Sequence, residues 1–245
     1  PMNYERDFVA GVIPTPLELR SGDLPEWALA QPMRQSSNND WFDETVATRA
    51  QKLPSCVGRA TAQLLMMVIR RQYGRDAIPA GYLLNGDAIW ASRRKRKYGG
   101  DMTGGLQVHE GLEEAAAMGM LDGIRYGIVR FNPTPAYLDR MLQHMPVLVG
   151  VGTHNGWGRA SRENGQIPFD LPNPYLGHAI VAGDVQFRPE ETYIRGPNSW
   201  GLDWGADGAW CMTDAQFAQA LISDGVTLYL PDGIGEAWRG FLEKA

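Results

Sequence analysis

Gly196-Pro197-Asn198-Ser199-Trp200-Gly201 runs on to Trp204-Gly205-Ala206-Asp207-Gly208, placing two Trp-Gly pairs within six residues. Glycine adopts backbone angles that other residues resist, so a repeated Trp-Gly step marks tight turns packed around large rings. Working outward, Ala209 to Met212 reads as an apolar strand carrying Cys211, and Thr213 with Gln216 has the spacing of a capping box that starts a short helix. Val226 to Leu230 closes that side as another strand. Upstream, Thr192 to Arg195, His178 to Val185 and Val147 to Val151 read as strands.

Before Pro146 the period becomes helical. Cys56 to Tyr73 is the strongest helix: Val57, Ala60, Leu64, Met67 and Val68 share a face, and Leu65, Met66 and Ile69 widen it. A face that wide implies a central, mostly buried helix. Arg70 and Arg71 suit its C-terminal end, and Gly74 a cap. Leu106 to Met118, closed by Gly119, and Pro135 to His144 are further helices. Helices fill the first half and strands the second, an order that predicts an α+β protein of two lobes. The reading is one domain over 1–245, with an insertion loop at 21–46, a helical lobe over about 47–133, a β lobe over about 134–230 and a tail at 231–245.

Composition narrows the function. Hydrophobic residues make up 44% and charged residues 21% of the 245. This is globular composition with enough chain for a full core. The net charge of -5 argues against a nucleic-acid binder. No uncharged apolar run is long enough to cross a membrane. Two cysteines, Cys56 and Cys211, exclude a disulfide scaffold. With no secretion-signal pattern at the start, the expected location is cytoplasmic. Nothing carries the spacing of a zinc site, so no metal or organic cofactor is expected.

Several residues could carry chemistry. Cys56 opens the buried helix, where the dipole favours the reactive thiolate. His178 enters an apolar strand in Leu176-Gly177-His178-Ala179, Asn198 heads the Trp-Gly run, and Gln51 stands five residues before Cys56. The run Arg93-Arg94-Lys95-Arg96-Lys97 reads as a solvated loop, or as an exosite for an acidic partner.

Taken together, these pieces resemble the papain-like cysteine peptidases, over about residues 13–20 and 47–230. His178 and Asn198 follow Cys56 by roughly 120 and 140 residues, close to the family spacing. Asn198 to Gly208 is the most specific match. Gly104-Gly105 before a helix, Pro146-Val147-Leu148-Val149, and Ile13-Pro14 through Leu19-Arg20 are supporting ones. The resemblance implies a papain-like two-lobed fold, with Cys56 on the central helix of the helical lobe and His178 and Asn198 on the β-rich lobe. It also implies a cysteine endopeptidase, lacking the family's disulfides, that acts on a peptide or protein substrate through an acyl-enzyme. Cys56 would attack, His178 would shuttle the proton, and Asn198 would orient the ring. Gln51 and the Cys56 N–H would hold the oxyanion, although the Gln-to-Cys interval is one residue shorter than usual. Gly104, Gly105, Gly177 and Trp200 would border the substrate, with Trp200 shielding the Asn–His hydrogen bond. The alternatives are a Cys-His amidase or peptidoglycan hydrolase, and a retired peptidase that binds peptides or serves in an assembly.

Overall fold

In the computed structural model, the described residues are 12–13, 41, 50–73, 84–121, 126–142 and 145–229. Helix α1, Cys56–Tyr73, has the bounds its periodicity predicts. Nearly every side chain from Cys56 to Arg70 is buried, so α1 has no solvent face to speak of. Arg70 and Arg71 lie in its last turn, where they complement the helix dipole. Gly74 lies outside the described residues.

A second helix, α2, spans Gly86–Lys97. It corrects the reading of 93–97 as a loop: the basic run is the last turns of a helix. Low apolar content hid it, but Asn85 caps its start by accepting from the Ala88 N–H at 3.1 Å. It meets α1 backbone to backbone, since a Cβ on Gly58 would come within 2.1 Å of the Gly86 carbonyl oxygen. Only glycine at both positions allows that approach. Helix α3 is Val108–Ala117, slightly shorter than predicted, and ends at Gly119 with φ of 81°.

The chain then enters the sheet earlier than its composition suggests. Strand β1, Gly127–Phe131, was not expected, because it is short and only partly buried. After α4, Pro135–Leu142, come β2, Val147–Thr153, and a single-turn helix at Asn155–Arg159. The predicted strand 178–185 is two strands, β3 at Asn173–Ala182 and β4 at Asp184–Phe187, so His178 sits inside β3 rather than at its entrance. The remaining elements are β5, Thr192–Pro197, β6, Ala209–Thr213, α5, Asp214–Ala220, and β7, Leu221–Tyr229. The predicted capping box holds at α5: Thr213 Oγ1 accepts from the Gln216 N–H, and Gln216 Oε1 from the Thr213 N–H.

One sheet has the strand order β1-β7-β2-β3, the other β4-β5-β6, and both are antiparallel. The first is buried on both faces at β2, which is why β2 reads as an unbroken apolar run. Side chains alternate between faces along a strand. Leu148 and Val181 accordingly join α1, α2 and α3 in one core, while Val149 and Ile180 join Trp157, Trp200, Trp204, Trp210 and Phe217 in another. The sheet is the wall between the lobes, and α1 packs against its β3 strand. The 21–46 insertion, apart from Trp41, and the 231–245 tail fall outside the described residues.

Candidate active site

Cys56 is the first residue of α1 and is fully buried. The turn before it is tied down by Asp87 at the start of α2. Asp87 accepts from Ser55 Oγ at 2.5 Å and from Arg59 Nε and Nη2 at 2.8 and 2.6 Å. Partial burial works to raise the Asp87 pKa, but the hydrogen bonds from Arg59 and Ser55 outweigh it and leave the pKa lowered. Asp87 therefore stays ionised and fixes the start of the Cys56 helix.

Across the boundary, His178 Nε2 lies 2.7 Å from Asn198 Oδ1, and both residues are fully buried. The same oxygen accepts the Ser199 N–H at 2.7 Å. A backbone N–H can only donate, so this atom is the amide oxygen and His178 Nε2 must carry a proton. Nδ1 is then the basic nitrogen of the neutral ring. Burial pushes the His178 pKa down to about 4, against the Asn198 hydrogen bond, which favours the charged form. A buried imidazolium here needs a nearby negative charge, which a thiolate at Cys56 would supply.

Trp200 packs on the His178 ring, with centroids 4.9 Å apart, and Trp157 meets it edge-on at 5.9 Å. Trp200 is itself buried, so its place is over the Asn–His pair. Trp157 was not singled out from sequence. The signal was available in Gly156-Trp157-Gly158, a third Trp flanked by glycine. Trp204 Nε1 donates to the Trp157 carbonyl at 2.8 Å, locking the cluster that keeps water from this hydrogen bond.

Two glutamines join Asn198-Ser199 to the helical lobe. The Gln51 N–H donates to the Ser199 carbonyl at 2.8 Å, and Gln51 Oε1 accepts from Ser199 Oγ at 2.5 Å. Gln63 Nε2 donates to the Asn198 carbonyl at 3.0 Å. One precedes Cys56 and the other follows it, so Asn198-Ser199 is tied to the chain on both sides of Cys56.

The glycines behave differently. The Gly104 carbonyl accepts from Trp90 Nε1 at 3.0 Å, and the Gly105 carbonyl from Arg94 Nη1 at 3.1 Å. A Cβ on Gly104 would lie 3.0 Å from the Arg94 guanidinium, so that glycine makes room for a side chain of its own lobe. The Gly177 carbonyl, next to His178, accepts the Val12 N–H at 3.3 Å, and Ile13 N–H donates to Leu106 O at 2.8 Å. Residues 12–13 thus run from the β lobe to the helical lobe, beside His178, parallel to the Leu106 backbone. The Val12 side chain fills space that Gly150 and Gly177 leave open: a Cβ on Gly150 would lie 2.9 Å from Val12 Cγ1.

Most of the basic run is engaged within the chain. Arg94 also holds Asp101, while Arg93 pairs with Glu110 and Glu113, Arg96 with Glu114, and Lys97 with Glu110 at 2.6 Å. Burial acts to raise the Glu110 pKa, but donors from Lys97, the Gln107 N–H and Tyr98 bring it below the ordinary value. These pairs bind α2 to α3 and to the turn before Gly104. Among the described residues no group of His, Cys, Asp and Glu could hold a metal ion. None of the helices described is long and apolar enough to cross a membrane.

No protein-family model and no curated protein matches the chain. Solved structures do. Xylellain, a cysteine protease from Xylella fastidiosa, superposes with a TM-score of 0.65 at 17% identity, covering 90% of this chain and 96% of that one. The digestive procathepsin L2 proteinase of Tenebrio molitor gives 0.67 at 16%, covering 94% and 81%. The chain has the papain-like peptidase fold. A recombinant stem bromelain precursor agrees, with a TM-score of 0.62 at 15% identity over 94% and 79% of the two chains. On this papain-like frame Cys56 begins the central helix, and His178 and Asn198 stand on the β-rich lobe.

Proposed function

We propose that this chain is a cysteine peptidase that cleaves peptide bonds through a Cys56 thiolate, a His178 imidazolium and an acyl-enzyme intermediate. The observation that carries the reading is the 2.7 Å His178–Asn198 hydrogen bond, in which Ser199 fixes the tautomer. With Nε2 held by Asn198, Nδ1 is the nitrogen left to take the thiol proton and later pass it to the leaving amine. Attack by the Cys56 sulfur forms the S–C bond and places charge on the carbonyl oxygen. Collapse expels the amine, and water then cleaves the thioester. The neighbours described above as cysteine proteases share the fold and lend the reading its substrate class.

The test is hydrolysis of fluorogenic peptides together with mass mapping after mild treatment with iodoacetamide. Cys56 should be alkylated first. Cys211 is also a free thiol, but burial pushes its pKa up, so it should lag. Equal or faster labelling at Cys211 would count against Cys56 as the nucleophile.

A second reading, a peptide-binding protein that no longer turns over, draws on two observations: Cys56 and His178 are both fully buried, and Val12 holds the Gly177 carbonyl. The two readings separate at Val12. In Val12→Asp, a carboxylate would replace a buried apolar side chain packed against Gly150 and Gly177, so the segment should leave its seat. Alkylation of Cys56 and peptide hydrolysis should both rise several-fold if the site is live and this segment restricts it. Faster alkylation with no hydrolysis of any peptide would favour the binding protein.

A further inference from the structure

The geometry points to Gln63 as a positioning residue that sets the His178–Asn198 pair at its working distance from Cys56. Gln63 lies seven residues after Cys56 on the same helix, so the two share a face about two turns, or roughly 10 Å, apart. Gln63 is 5% exposed and its amide reaches across the lobe boundary to the Asn198 carbonyl at 3.0 Å. That carbonyl belongs to the residue whose side chain orients the catalytic ring. Asn198 is pinned from the other side as well, since its N–H donates to the Gly208 carbonyl at 2.8 Å. A single rigid helix therefore carries both the nucleophile and the donor that fixes the acceptor loop, so the separation between thiol and imidazole follows the helix rise. An apolar residue at position 63 would fill the same space but leave the Asn198 carbonyl buried without this donor, and the loop would be free to shift.

This inference rests on the Cys–His reading above, but its test reads thiol ionisation and not proteolysis. Cys56 alkylation by iodoacetamide is followed by mass mapping from acid to mildly alkaline pH, in the full chain and in Gln63→Met, which keeps length and volume but cannot donate. A misplaced imidazolium stabilises the thiolate less, so the acid limb of the profile should move to higher pH, and the rate near neutrality should fall roughly tenfold to a hundredfold. The same substitution in an Asn198→Ala background should change the rate by less than about twofold, because the ring is no longer held through that residue. Gln63→Leu, which likewise cannot donate, should reproduce the Met result. Unchanged profiles in both variants overturn the assignment. So does an equal loss in the Asn198→Ala background, or failure of both variants to melt cooperatively, which would make Gln63 a residue of the fold alone. A shifted profile in a chain that hydrolyses no peptide would leave the positioning role standing and remove the peptidase reading.

Discussion

His178→Ala should lower kcat for peptide hydrolysis by about 10⁴ or more and leave no pH dependence from an imidazole, because one residue supplies both the base and the acid. The ring packs against Trp200 and Trp157, so its removal also leaves a gap, and His178→Gln is the companion that keeps volume and a polar atom near Asn198. Both variants should melt cooperatively and both should be inactive. Substantial turnover in either would refute the mechanism.

The same residue predicts how stability depends on pH. With a neutral thiol opposite, the folded pKa of His178 is about 4 because burial disfavours the charged ring. An unfolded His titrates near 6.5, so between these values the unfolded chain takes up a proton that the folded chain refuses. Its contribution to stability is fully present above about pH 6.5 and is lost as pH falls towards 4, by about 3 kcal/mol in all. Cys56→Ala isolates this case, since no thiolate can then compensate the imidazolium. Urea midpoints of Cys56→Ala should fall between neutral pH and pH ~4.5, and Cys56→Ala/His178→Gln should lose most of that slope. In the unaltered chain a thiolate at Cys56 would hold the proton on His178 to higher pH, so the pair, and not either residue alone, titrates.

Much of this was readable before the fold. The central helix was legible to the residue because its apolar face is so wide that few other arrangements bury it. Asn198, Trp200 and the glycines after them were legible because the Trp-Gly turns leave a local pattern. What stayed hidden depends on contacts between segments far apart in the chain. Helix α2 is mostly polar on its own account, and the Glu110, Glu113 and Glu114 carboxylates of α3 explain Arg93, Arg96 and Lys97, while Arg94 turns to Asp101 and the Gly105 carbonyl. Gly104 looked like a gap for substrate, but the space belongs to Arg94. Strand β1 has little pattern of its own and exists because β7 offers it an edge from Gly225 to Tyr229. Gln63 lay unnoticed in an apolar helix, although a buried amide in such a run always needs a partner.

Gln51→Ala should lower kcat by about 10²–10³ with little change in KM, the pattern expected when a donor acts on the transition state rather than on bound substrate. The structure gives the amide a defined orientation. Ser199 Oγ donates to Gln51 Oε1 at 2.5 Å, which fixes Nε2 as the donor end, and its contact to the Leu53 carbonyl at 3.4 Å is long. A long bond of that kind is readily exchanged for a better acceptor. The shortened interval before Cys56 is not spanned in the extended form that Pro54 suggests: the chain bends at Leu53 and Pro54, and the Gln51 amide turns to the Leu53 carbonyl beside that bend. The side chain is 6% exposed and holds Ser199 through Oε1. Gln51→Glu separates the two jobs of the amide: it keeps an oxygen for Ser199 but replaces the donor with a charge that repels an oxyanion, so it should be at least as damaging as alanine. Ser199→Ala frees the amide to rotate and should cost less, about tenfold. If Gln51→Ala instead raises KM and leaves kcat intact, Gln51 serves to anchor Ser199, and the second oxyanion donor is another group.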